Sequence, residues 1–313
     1  MHQYLKAIGF GDVLTRKELK KLLWEIEDSF DFQSIVTYST SMDVTRPLIQ
    51  KGAKTIQSQR EYMVDFCELQ KTFGQGIGIS VCGELDEEEN FDYNYYYPYF
   101  EGSGVTTCVD VTVERRIDRM HYVGICEDPK VGISLIFFLQ NGAEYISESL
   151  MKRVNPHNVT VTLSGLSLSG TILFPVQKSE EQKRNENKQA DIRKRLTFAA
   201  RNGDPNALET LTLDDMDIYT QVSHRLADED VFSIVDTYIM PYGVECDIYS
   251  IMGEILAYRE RENTMTKEKL YQMKLDVNAL QFDICVPKSR LLGEPEIGRR
   301  FKGKTWLQGF INY

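Results

Sequence analysis

Apolar side chains recur at every second position through long stretches of this chain, and that period does more than any other feature to limit its fold. Ile77, Ile79 and Val81 alternate with Gly78 and Ser80. Val109, Val111 and Val113 alternate with Asp110, Thr112 and Glu114. Val159, Val161 and Leu163 alternate with Thr160, Thr162 and Ser164, and Leu166–Phe174 continues the theme. A period of two places alternate residues on one face of a strand, so residues 62–176 predict a sheet. No ten-residue helical pattern is regularly interleaved, so the sheet is expected to be mainly antiparallel rather than built from βαβ units. Turn residues such as Glu101-Gly-Ser-Gly104 and Asn155-Pro-His-Asn158 punctuate the runs.

Helices flank this region. Thr15-Arg-Lys-Glu18 has capping-box spacing, and Leu19, Leu22, Leu23 and Ile26 then fall on one helical face. Ile35–Tyr38 predicts a short strand, Arg46-Pro47 argues against helix there, and Glu144–Arg153 reads as a helix laid on the sheet. Ser179–Ala200 is polar and rich in helix formers, ending at Asn202-Gly203. Ile218, Val222 and Leu226 give a further helical stripe. Asp228–Ile239 reads as a short helix or mixed connector, and Met240-Pro-Tyr-Gly243 as a loop. Beyond it, the expected strands are Ile248–Tyr258 with a bend at Gly253, Leu270–Val277, Leu280–Val286 and a closing Arg299–Ile311, with Asn278-Ala279 as a tight link. The reading is therefore α+β. It comprises an antiparallel-sheet domain over 1–176, a helical connector over 177–239 and a small β-barrel over 240–313.

Bulk properties restrict function. The 313 residues carry 36 basic and 47 acidic side chains, a net charge of -11. That disfavours non-specific attraction to nucleic acid or anionic membrane. The most apolar run, Val131–Leu139, is far short of the roughly 20 residues of a membrane helix. Met1–Gly9 has no basic region followed by an apolar stretch, so no signal peptide is expected. Cys67, Cys82, Cys108, Cys126, Cys246 and Cys285 are widely spaced with no CxxC pair. They read as reduced thiols of a cytoplasmic protein, without zinc.

No catalytic, metal or cofactor motif rises above chance. Gly74-Gln-Gly-Ile-Gly78 leads into a strand rather than a helix, so it reads as a turn and not a phosphate loop. Tyr93-Asn-Tyr-Tyr-Tyr-Pro-Tyr-Phe100 is the most unusual composition. Tyr93, Tyr95, Tyr97 and Tyr99 would share a strand face and either fill a core or stack on bases or sugars. The acidic Asp86-Glu-Glu-Glu-Asn90 beside it reads as a solvated turn, unsuited to a phosphate-bearing ligand. Glu114, Arg115, Arg116, His121 and Asp128 lie in a predicted hairpin turning near Ile117-Asp118, either as surface ion pairs or as proton-transfer groups. Lys288, Arg290, Arg299, Arg300, Lys302 and Lys304, interleaved with Phe301 and Trp306, form a basic cluster. Residues 240–313 nevertheless hold 11 basic and 10 acidic residues, which is weak for a nucleic-acid domain.

Several segments resemble landmarks of an uncharacterised bacterial family classed as a domain of unknown function. They are Met1–Phe10, Cys82-Gly-Glu-Leu-Asp86, Tyr95-Tyr-Tyr-Pro-Tyr-Phe100, Lys130–Gln140 and Met240-Pro-Tyr-Gly243. The likeness spans the whole chain and implies a cytoplasmic bacterial protein, with no activity attached. Separately, Gly298, Gly303 and Gly309 in the last strand resemble the pattern of an oligonucleotide/oligosaccharide-binding (OB) barrel. The leading expectation is a non-enzymatic binding or interaction protein with the barrel docking a protein partner. The candidate ligand or partner face comprises Tyr95, Tyr97, Arg116, His121, Arg299, Arg300, Lys302 and Lys304. Alternatives are single-stranded nucleic-acid binding through the basic barrel face and its aromatics, or an enzyme whose site lies between the connector and the sheet group of Glu114, Arg116, His121 and Tyr95.

Overall fold

The strand-forming sequence closes on itself. In a computed structural model the described residues are 2–11, 15–28, 37–42, 62–85, 91–116, 121–128, 131–150, 159–176, 202–213 and 235–313, with isolated helical positions between 188 and 200. The expectations for Arg46-Pro47, Asp86–Asn90, Ile117-Asp118, Asn155–Asn158 and Ile218–Leu226 lie outside these residues, as does most of Ser179–Ala200. The described chain is mostly β with few helices.

Five strands form a closed barrel: β8 (Thr160–Leu173), β10 (Ile248–Glu262), β11 (Lys269–Val277), β12 (Leu280–Pro287) and β14 (Arg300–Asn312). Their order is β8-β12-β11-β10-β14, with β14 returning to β8. The seam between β12 and β8 is parallel and the others are antiparallel. Alternation is the cause: Met273, Leu275, Val277, Phe282 and Ile284 are fully buried and belong to one core. Asn278 and Ala279 both adopt positive φ (52° and 63°), the hairpin geometry that matches strand twist.

The barrel also draws on chain outside 240–313. Its fifth strand, β8, comes from the segment expected to end a separate sheet domain at 176. Strand β9 (Tyr238–Pro241) replaces the loop expected at Met240 and pairs with β10. Short β13 (Leu291–Leu292) adds to β8 after a 3-10 turn at Lys288–Arg290.

The far half of β14 continues past β10 and pairs in parallel with β7 (Ser134–Leu139). An antiparallel meander extends from there through β6 (Tyr122–Glu127) to β5 (Val111–Arg115). Helix α2 (Gly142–Leu150) follows β7. A separate four-stranded antiparallel sheet is made of β1 (Thr37–Met42), β2 (Tyr62–Gly74), β3 (Ile77–Leu85) and β4 (Phe91–Phe100). Gly74–Gly78 is the β2–β3 turn, with Gly76 at φ 71° where a side chain would be strained.

Polar side chains lock this sheet to the barrel. Buried Gln308 accepts from Phe100 N at 3.0 Å and donates to Pro98 O at 2.8 Å. Gln140 Nε2 joins them, donating to Gln308 Oε1 and Phe100 O, both at 3.0 Å. A 3-10 helix at Gln3–Ile8 covers the barrel's outside, where Cys285 Sγ lies 3.5 Å from Ala7 O. Asn263, fully buried, donates to Ile8 O at 2.7 Å and Thr266 Oγ1 to Gly9 O at 2.7 Å.

The Thr15 capping box forms as expected. Glu18 Oε2 accepts from Thr15 N at 2.7 Å and Glu18 N donates to Thr15 Oγ1 at 3.3 Å, opening α1 (Arg16–Asp28). The Thr15 hydroxyl also donates to Glu18 Oε2 at 2.6 Å, and that bond first, then the one from the Thr15 amide, pulls the Glu18 carboxyl below its ordinary range. Leu19, Leu22, Leu23 and Ile26 are buried against β2 and β3. Residues 205–213 are helical within the expected connector. Among the described residues no helix is long and apolar enough to cross a membrane.

Candidate functional site

A cleft of about 460 Å³ opens where the 3-10 helix, β4, the β6–β7 meander and the chain entering β10 meet. Its wall is a continuous run of aromatic contacts. Tyr4 stacks on Trp306 at 5.2 Å between centroids, Trp306 meets Phe138 at 5.1 Å, and Phe138 meets Tyr97 at 4.5 Å. Tyr97 stacks with Tyr95 at 6.4 Å. His2 lies 4.8 Å from Trp306 and His121 5.1 Å from Phe138. Such tilted and offset pairs hold one another in place; Tyr4, Tyr97, Phe138 and Trp306 are buried in this packing, and Tyr95 and Tyr96 are half-buried.

Two carboxylates close one side. Asp247 Oδ2 accepts from Trp306 Nε1 at 2.9 Å, and Asp247 O accepts from Leu307 N at 2.8 Å, so this buried acid fixes the indole. Glu245 is half-buried and lines the same cleft. Burial first, then the Glu245 and Asp247 charges, push the Tyr4 hydroxyl well above its ordinary range. The field at this end is negative.

Behind the tyrosines lies a second polar group. Glu68 Oε1 accepts from Ser80 Oγ and Tyr97 OH, both at 2.5 Å, and from Gln70 Nε2 at 3.2 Å. Burial raises the Glu68 carboxyl despite those three bonds, and Glu144 adds to the rise. Burial also raises the hydroxyls of Tyr95 and Tyr97, with Glu68 and Cys82 contributing to both. Tyr95 and Tyr97 therefore stay neutral and serve as ring surface and hydrogen-bond donors.

The family model described as "Domain of unknown function, E. rectale Gene description (DUF3881)" matches residues 41–309. The chain belongs to the DUF3881 family. No curated protein and no solved structure matches it. In this DUF3881 chain every cleft residue except His2, Gln3 and Tyr4 falls within the matched span.

Of the residues singled out from sequence, Tyr95, Tyr97 and His121 meet in the cleft. Arg116 sits at its margin: its amide donates to His121 O at 2.9 Å and its Nη2 lies 2.7 Å from Cys246 Sγ. Glu114 is exposed on β5, and Asp128 is buried elsewhere, accepting from Thr107 Oγ1 at 2.6 Å. Tyr93 leaves the face expected for it. The β3–β4 register shifts between Cys82 and Gly83, so Tyr93 stacks with Tyr96 at 6.4 Å instead.

The basic residues are dispersed rather than aligned. Arg300 is buried and donates to Phe174 O at 2.9 Å and Val235 O at 2.8 Å. Arg299 pairs with Glu296 at 2.6 Å and lies over Phe174, while Lys288 pairs with Glu260 at 2.7 Å. Lys304 bonds the Tyr242 hydroxyl and lies 3.9 Å over its ring. Lys302 sits in the ladder between Met252 and Thr171. Among the described residues no group of three or more His, Cys, Asp or Glu could hold a metal ion.

His2, Tyr4, Phe138, Glu245 and Asp247 were not singled out as site residues, because nothing in their spacing links them. Trp306 stood out only as an aromatic within the basic cluster.

Proposed function

We propose that this protein binds a small, ring-bearing molecule in the aromatic cleft, without transforming it. The carrying observation is the unbroken wall from Tyr4 through Trp306, Phe138 and Tyr97 to Tyr95. A concave, largely aromatic cavity with a few fixed polar groups is the usual form of a ligand site. The polar groups here hold the wall in place: Asp247 fixes Trp306 and Glu68 fixes Tyr97. A cytoplasmic setting accords with the free thiols of Cys82, Cys108, Cys126, Cys246 and Cys285.

The barrel reads as OB-like by its pairing. Strands β10, β11, β12, β14 and β8 take the places of OB strands one to five, with the fifth supplied from earlier in the chain. OB barrels use the face of strands two and three for oligonucleotides. Here the 3-10 helix covers part of β12, and the cationic side chains Arg299, Arg300 and Lys288 are engaged within the protein. These contacts favour the cleft over a nucleic-acid face.

The test is titration with the fluorescent neutral probe N-phenyl-1-naphthylamine. Saturable binding with one site per chain, weakened about tenfold or more by Gln3→Trp at the cleft rim, supports the reading. No saturation, or the same affinity in Gln3→Trp, overturns it.

A further inference from the structure

We propose that the guest is an organic cation: a protonated amine on a ring-bearing small molecule, with the ring on the Trp306–Phe138 wall and the ammonium facing Glu245. This rests on the cleft being a ligand site and adds the chemical class of its ligand.

Charge complementarity carries the argument. With imidazoles counted as neutral, the formal charges lining the cleft are Glu245 and Asp247, both negative, and no lysine or arginine lines it among the described residues. Among the described residues Glu245 makes no hydrogen bond or ion pair, whereas Asp247 already accepts from Trp306. Arg116, at the margin, directs Nη2 to Cys246 rather than to either carboxylate. A half-buried carboxylate in a largely aromatic cleft gains from a counter-charge supplied by the guest.

The rings agree with that sign. An aromatic face is negative, so Tyr4 and Trp306 near the two acids add cation–π attraction instead of opposing it. An anionic ring compound would meet both the carboxylates and the negative ring faces. A neutral one would keep the stacking and leave Glu245 without a partner.

Three ring compounds of similar size separate these cases: phenethylamine, 2-phenylethanol and phenylacetate, each competed against N-phenyl-1-naphthylamine on the full-length protein. Phenethylamine is expected to compete about tenfold better than 2-phenylethanol, the scale of a partly desolvated cation–π contact with a counter-charge, and phenylacetate worst. Glu245→Gln should remove most of the amine's advantage while leaving 2-phenylethanol unchanged, which also shows that the variant is folded. If the naphthylamine binds but the alcohol matches the amine, or the amine's advantage survives Glu245→Gln, the cationic assignment is wrong and the cleft remains a ligand site. If the naphthylamine itself fails to bind, both fall.

Discussion

Gln308→Leu should separate the four-stranded sheet from the barrel energetically while keeping side-chain volume nearly constant. Gln308 is fully buried, and its two amide atoms serve Phe100 N, Pro98 O and Gln140 Nε2. Leucine withdraws all three partners. Gln140 keeps its bond to Phe100 O, which Ser164 Oγ also reaches at 2.6 Å, so the main loss falls on Phe100 N and Pro98 O. A buried polar group left without a partner costs about 1–3 kcal/mol, and the extra apolar burial of leucine offsets part of it, giving a net loss of about 2–4 kcal/mol. Urea unfolding would show this as a lower midpoint with an unchanged slope. Adding Gln140→Leu should cost less than the sum of the single changes, because the two amides share a bond. A loss below about 0.5 kcal/mol for Gln308→Leu, or full additivity, refutes the reasoning.

Three further outcomes follow from the packing and the titrating groups. Gly170→Ala on β8 would place a Cβ 2.2 Å from Phe301 Cε2, so it should lower stability by about 1–3 kcal/mol in the same unfolding assay; a neutral result would contradict closure of the barrel by β8. Glu68 has a raised carboxyl in the folded state, so the fold holds its proton where the unfolded chain has lost it. Stability from this group is therefore greatest below the ordinary carboxyl range and falls as pH rises toward the folded value. Relative to wild type, Glu68→Gln should then gain stability as pH rises above the ordinary carboxyl range, and a pH-independent difference would count against the assignment. Burial and Asp128 push the Cys126 thiol up to about 12, and Cys285 is fully buried. Exposed Cys108 should accordingly react with a thiol reagent long before Cys126 and Cys285, as peptide mapping of the labelled protein would reveal.

Period-two alternation made most strands legible, because burial on one face leaves its mark on every second residue. Leu270–Val277, Leu280–Val286 and the Asn278-Ala279 link were readable to within a residue or two. The partner of a strand is a different matter. Val159–Phe174 announces a strand, yet nothing local says that it closes a barrel with residues far downstream through a parallel seam of three residue pairs. The bulge that turns Tyr93 away from Tyr95 was equally silent, since it depends on how Cys82 and Gly83 pair across the hairpin. Site chemistry was half visible. Tyr95, Tyr97 and His121 stood out by composition, but His2, Tyr4, Glu245 and Asp247 join them only through tertiary packing.

Hydrogen–deuterium exchange with and without saturating phenethylamine tests the cleft most directly. Added protection should concentrate in residues 2–8, in 94–97 of β4 and in the 242–249 segment that carries Glu245 and Asp247. Protection centred instead on β11 and β12 or on residues 288–300, or no change at all, would contradict the cleft as the place where this protein meets its ligand.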